Sequence, residues 1–117
     1  MTSLRHLGHA VVPGWISGMV TSGGPAIAAL GGICVQATPV AGDASPFLAV
    51  SAATNGRYQL GPLALGRYLV RFFPGCGASG YAAQWWKGAH SAGAAAPVRV
   101  TAGRTRSGID ATMTSRG

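Results

Sequence analysis

Arg67-Tyr68-Leu69-Val70-Arg71-Phe72-Phe73 is the stretch whose reading decides the fold. Tyr68, Val70 and Phe72 share one parity, and Arg67 and Arg71 fall on the other. A period of two places these sets on opposite faces of an extended chain. Aromatic and β-branched residues fit a pleated, half-buried surface. The run therefore predicts a strand with an inward row of Tyr68, Val70 and Phe72 and an outward arginine row. Gly66 precedes it and Pro74 ends it, since proline cannot donate to a ladder.

The same alternation recurs on both sides of this stretch. Upstream, Arg57-Tyr58-Gln59-Leu60 reads as a short strand with Tyr58 and Leu60 on one face. Asn55-Gly56 before it predicts a hairpin turn, because both residues tolerate positive φ. Phe47 to Thr54 leads into that turn as a strand weakened by its alanines. Ile33 to Thr38 is a further strand, with Ile33, Val35 and Ala37 on one face and Cys34 on the other. Trp15 to Thr21 alternates with Ile16, Gly18 and Val20 inward, and Ser22-Gly23-Gly24-Pro25 is a turn. Downstream, Val98 to Thr101 and Gly108 to Thr114 are the last two strands, separated by the turn at Ala102-Gly103. In the final one Ile109, Ala111 and Met113 share a side. The expected architecture is all-β, a seven-stranded antiparallel Greek-key β-sandwich. Its expected core is Val20, Val35, Tyr58, Leu60, Tyr68, Val70, Phe72, Val98, Val100 and Ile109. Residues 1–14 read as a flexible N-terminal arm, 15–114 as the domain and 115–117 as a tail.

Composition agrees with one small domain. The chain has 117 residues, 48% of them hydrophobic and 9% charged, which is not the balance of a disordered segment. Nineteen glycines and seven prolines imply frequent turns. The only acids are Asp43 and Asp110, with no glutamate. That count argues against paired glycosidase carboxylates, carboxylate metal cages and two-metal nucleases. The formal net charge is +7. Its sources are Arg5, Arg57, Arg67, Arg71, Lys87, Arg99, Arg104, Arg106 and Arg116, scattered singly along the chain. With no run of bases and no recognition-helix pattern, no nucleic-acid partner is expected. Eight of the nine are arginine, which fits the codon bias of a GC-rich genome.

Cys34 and Cys76 are the only cysteines and lie 42 positions apart, too far for a C-x-x-C site. One structural disulfide is the simple reading, and two buried thiols the alternative. A bridge would imply an oxidising compartment. The first thirteen residues hold no signal-peptide core, since Ala10-Val11-Val12 is far too short. No segment reaches the roughly 18 apolar residues of a membrane span. An exported protein with this sequence would have its true start elsewhere or be a piece of a longer chain.

Candidate functional residues concentrate in the long connection from Pro74 to Pro97. Gln84-Trp85-Trp86 reads as a helical turn within it. Tyr81, Gln84, Trp85 and Trp86 form the candidate ligand-binding group, because exposed aromatic faces stack on sugars and anchor protein interfaces. The competing reading is that the loop folds back, clamped by Cys76, and covers an open end of the sandwich. That reading is favoured, since two adjacent tryptophans rarely both face water. His6 and His9 are two ligands where a tetrahedral metal site needs more, and His90 reads as a solvated loop residue. Ser79 sits in Gly77-Ala78-Ser79-Gly80, which lacks the G-x-S-x-G elbow. A triad of Ser79, His90 and Asp110 has no motif behind it. No catalytic residue, metal ligand or cofactor is expected.

Five short words along the chain carry a resemblance. They are Gly18-Met19-Val20-Thr21, Gly32-Ile33-Cys34-Val35, Thr54-Asn55-Gly56-Arg57-Tyr58, the run Leu63 to Phe72, and Val98-x-Val100 followed by Gly103 and Ile109-Asp110. Together, over about residues 15–114, they resemble the carboxypeptidase regulatory-like domains, which have a transthyretin-like (prealbumin-like) sandwich. The third word is one residue shorter than the family's hairpin. With Cys34, Cys76 and the stretch Tyr81 to Trp86, the chain looks like a bacterial secreted subgroup. The resemblance implies a non-catalytic structural or interaction module of a secreted or cell-surface bacterial protein, with Asp110 in a structural role. Its implied partner is a protein or polysaccharide surface, within a multidomain parent. Related folds include the B-type repeats of adhesins and starch-binding-like modules, to which the name alpha-amylase is often carried by fold. A carbohydrate-binding module is accordingly the alternative. The Lys–Asn isopeptide bond of some adhesin modules is not expected, because the only lysine, Lys87, lies in the long loop.

Overall fold

The computed structural model describes residues 12–23, 28–41, 46–51 and 55–115. Among them ten strands form. They are β1 (Gly14–Ser22), β2 (Ala28–Ala29), β3 (Cys34–Pro39), β4 (Phe47–Val50), β5 (Arg57–Leu63), β6 (Gly66–Phe73), β7 (Gln84–Trp85), β8 (Val98–Val100), β9 (Thr105–Arg106) and β10 (Ala111–Met113). The only helical element in this range is a three-residue 3-10 turn, Ala92–Ala94. The chain is all-β, as its alternation predicts. Each expected strand overlaps an observed one, and the two-residue strands β2, β7 and β9 are additional.

Two sheets result, each of five strands. In the first, β1 is the centre. It pairs antiparallel with β5 and β2 on one side and parallel with β9 and β10 on the other. In the second, β4, β3, β6 and β7 follow one another, and β8 also pairs with β6, all antiparallel. Burial alternates along β1, β5 and β6 with the period the sequence predicts. All ten expected core residues are buried, and they join Ile16, Ile33, Leu63 and Met113 in one cluster drawn from both sheets. The arrangement is sandwich-like. Tyr58 of the first sheet meets Phe72 of the second edge to face, with ring centroids 5.8 Å apart.

Three local expectations are corrected. Asn55-Gly56 does not close a hairpin, because β4 pairs with β3 in one sheet and β5 with β1 in the other. The turn chemistry is still as read. Gly56 has φ +70°, and Asn55 Oδ1 accepts the Arg57 N–H at 2.9 Å. The turn instead carries the chain between sheets. The nine residues of β1 offer β5 a longer ladder than the four of β4, and the Val20 N–H binds Gly56 O at 2.8 Å.

The pairing is also not wholly antiparallel, since β9 and β10 run parallel to β1. After β8 the turn at Ala102-Gly103 delivers the chain to the first sheet already travelling in the direction of β1. Between β9 and β10 it presses against Gly18. A Cβ there would strike the Ile109 carbonyl, so only glycine admits this approach. Finally, Gln84-Trp85-Trp86 is not a helical turn. Gln84 and Trp85 form β7 against Arg71 and Phe72.

Candidate ligand-binding surface

The two adjacent tryptophans are held by backbone bonds on both sides. Trp85 and Ala89 exchange N–H···O bonds of 2.7 and 2.8 Å, closing the turn at 86–88. Trp86 N–H donates to Val70 O at 2.8 Å, and Trp86 O accepts from Ala96 N–H at 2.9 Å. Extended geometry sends neighbouring side chains to opposite faces. Trp86 accordingly packs against the core, as does Tyr81. Lys87 Nζ lies 5.8 Å from the Trp86 ring centroid. Gln84 Nε2 donates to Thr112 O at 2.9 Å and tethers β7 to β10 of the other sheet.

Trp85 points the other way, onto the outer face of the second sheet. There Arg71 stands between two rings, its Cζ 4.8 Å from the Phe73 centroid and 5.8 Å from that of Trp85. Cross-strand register sets Leu48, Gln36, Arg71 and Trp85 in one row, and Val50, Cys34 and Phe73 in the next. Leu48 is 53% exposed and Val50 48% exposed. The result is a partly apolar face with one guanidinium laid on its aromatics. Arg71, Phe73 and Trp85 are all partly buried, and such a contact is worth about 0.5–2 kcal/mol.

Cys34 and Cys76 are disulfide-bonded, with their Cα atoms 5.3 Å apart. The bridge pins the start of the long connection to β3. Behind it, Ala78 N–H donates to Gly32 O at 3.0 Å. The connection thus folds back, and Ala78, Tyr81 and Trp86 all pack against the cluster. The four candidate residues do not form one surface: Tyr81, Gln84 and Trp86 serve packing and tethering, and Trp85 alone joins the outer face.

The remaining candidates are dispersed. Asp110 Oδ1 accepts the Met19 N–H at 2.8 Å, beside the Gly18 approach. His90 is exposed and lines a hollow of about 220 Å³ with Gln84, Gly88, Thr112 and Thr114, which neither Ser79 nor Asp110 enters. His6, His9 and Asp43 lie outside the described residues. Among the described residues no group of three or more His, Cys, Asp or Glu could hold a metal ion, and no helix is long and apolar enough to cross a membrane. Sequence reading missed Arg71 as the centre of the outer face, although its parity with Phe73 was visible. It also missed an open hollow of about 480 Å³ on the first sheet, lined by Ser17, Asn55, Arg57, Gln59 and Thr105 among others.

Comparison of the chain with protein-family models, curated proteins and solved structures gives no match.

Proposed function

We propose that this chain is a non-catalytic structural and interaction module of a secreted or cell-surface bacterial protein, its two sheets forming a prealbumin-like Greek-key sandwich distantly related to the carboxypeptidase regulatory-like domains. The family words fall on elements with a structural reason for them. Gly18 admits the Ile109 carbonyl, the Tyr68-x-Val70-x-Phe72 word is the inward row of β6, and Asp110 holds a β1 amide. The disulfide suits an oxidising compartment. The two carboxylates of the whole sequence support the non-catalytic reading.

The observation that carries the interaction role is the outer face of the second sheet. Leu48 and Val50 are exposed there beside Phe73, Trp85 and the ring-stacked Arg71. This chemistry fits a protein partner that presents apolar side chains and a carboxylate. Sugar stacking would want a free aromatic platform, and here the Trp85 ring is accompanied by a guanidinium while Trp86 packs on the core. Purified chain should hydrolyse neither starch nor peptides, and its retention on starch or chitin should be the same for wild type and Trp85→Ala. Turnover abolished by Asp110→Asn would overturn the non-catalytic reading. Retention lost in Trp85→Ala, with the circular dichroism spectrum intact, would replace the protein partner with a polysaccharide.

A further inference from the structure

The arginines that stand singly in the sequence gather at one end of the fold. Cross-strand register sets Arg67 of β6 directly opposite Arg99 of β8. The turn after β8 brings Arg104 and Arg106 back beside Arg99. Arg99, Thr101, Arg104, Thr105 and Arg106 line one hollow of about 190 Å³, and Arg67 flanks it.

Like charges directly opposite on paired strands repel. Among the described residues no hydrogen bond or ion pair engages any of these four guanidinium groups. All four arginines and both threonines are exposed, so the site is open to a solute. Guanidinium forks match the oxygen geometry of phosphate and sulfate, and hydroxyls can donate to the same oxygens. The hollow, of about 190 Å³, has room for one such group.

We propose that this hollow binds a tetrahedral oxyanion, a phosphate or sulfate that is either free or an ester on a larger molecule. Arg99, Arg104 and Arg106 supply the charge and the forked donors, Thr101 and Thr105 supply hydroxyls, and Arg67 adds to the local field. The site is at the β8 end of the sheet whose outer face also carries Arg71 and Trp85; neither residue lines it, and the proposal does not depend on the interaction role of that face.

The test is an amide-resolved NMR titration of the full chain with inorganic phosphate and, separately, with a sulfated heparin hexasaccharide. Sodium chloride at matched ionic strength is the control. Saturable shifts are expected at Arg99, Thr101 and 104–106, weakened at least about tenfold in the Arg99→Gln, Arg106→Gln double variant. Phosphate should raise the melting temperature of wild type and not that of the double variant. Tighter binding of the hexasaccharide than of phosphate would identify an ester on a larger molecule, and the reverse a free anion. Shifts reproduced by sodium chloride, centred on Arg71 and Trp85, or unchanged in the double variant would overturn the proposal.

Discussion

Tyr58 joins the two sheets through a single side chain. Its ring meets Phe72, and its hydroxyl donates to the Ile109 carbonyl at 2.5 Å. Burial first, and the Asp110 carboxylate second, push its ionisation above the ordinary tyrosine value; burial does the same to Tyr68. A raised value in the folded state means that the folded chain keeps protons the unfolded chain releases. Stability from these groups is therefore complete below about pH 10 and is lost as pH rises beyond it. Urea denaturation at pH 8 and pH 11 should show this loss, and Tyr58→Phe should make it shallower while costing about 1–3 kcal/mol at pH 8 through the orphaned carbonyl. A pH slope unaltered by Tyr58→Phe would assign the effect elsewhere. Phe72 is fully buried among both sheets, and Phe72→Ala should cost roughly 3–5 kcal/mol in the same assay. A loss below about 1 kcal/mol would mean that this row is not the core.

At the scale of the element, β7 shows how little chain is needed to reassign a site. Two ladder residues against β6 are enough to split Trp85 from Trp86. Trp86→Ala should lower stability by about 1–3 kcal/mol, less than for a fully buried ring because Trp86 is half-buried. Trp85 is half-buried as well but is not packed against the core, so Trp85→Ala should cost less than Trp86→Ala, through its outer-face packing and its contact with Arg71. Thermal melts of the two variants side by side check this, and equal losses would contradict the opposite orientation of the rings. The splitting was legible in principle, since period two separates neighbours. It was missed because a three-residue word cannot distinguish a strand from a helical turn. The longer β6 carried enough alternation to be read correctly along its whole inward row.

For the whole molecule, the Cys34–Cys76 bridge ties the start of the long connection to the second sheet. Closing a loop of about 43 residues is worth up to roughly 4 kcal/mol in the chain-entropy model. Reduction should lower the urea midpoint accordingly, and amide exchange should accelerate first between Tyr81 and Ala96. A shift below about 1 kcal/mol would show that the packing of Ala78, Tyr81 and Trp86 holds the connection without the bridge. The same connection carries Gln84, whose bond to Thr112 spans the sheets. Loosening it should therefore be felt at β10 as well as at β7.

Sequence alone determined which side faces inward in the strands long enough to show alternation. Side-chain direction in an extended chain is local, and the inward rows of β1, β3, β5, β6 and β8 could be read without knowing any partner. It also marked the positive φ at Gly56 and the two sulfurs available for a bridge. Only the tertiary structure decided which strands pair. It gave β5 to β1 instead of β4, and set β9 and β10 parallel to β1, because ladder bonds depend on chain segments far apart in sequence. The fate of the charges was decided at that level too. Arginines at 67, 99, 104 and 106 look isolated along the chain, and they become neighbours only when strand register and a turn between sheets place them at one end of the fold.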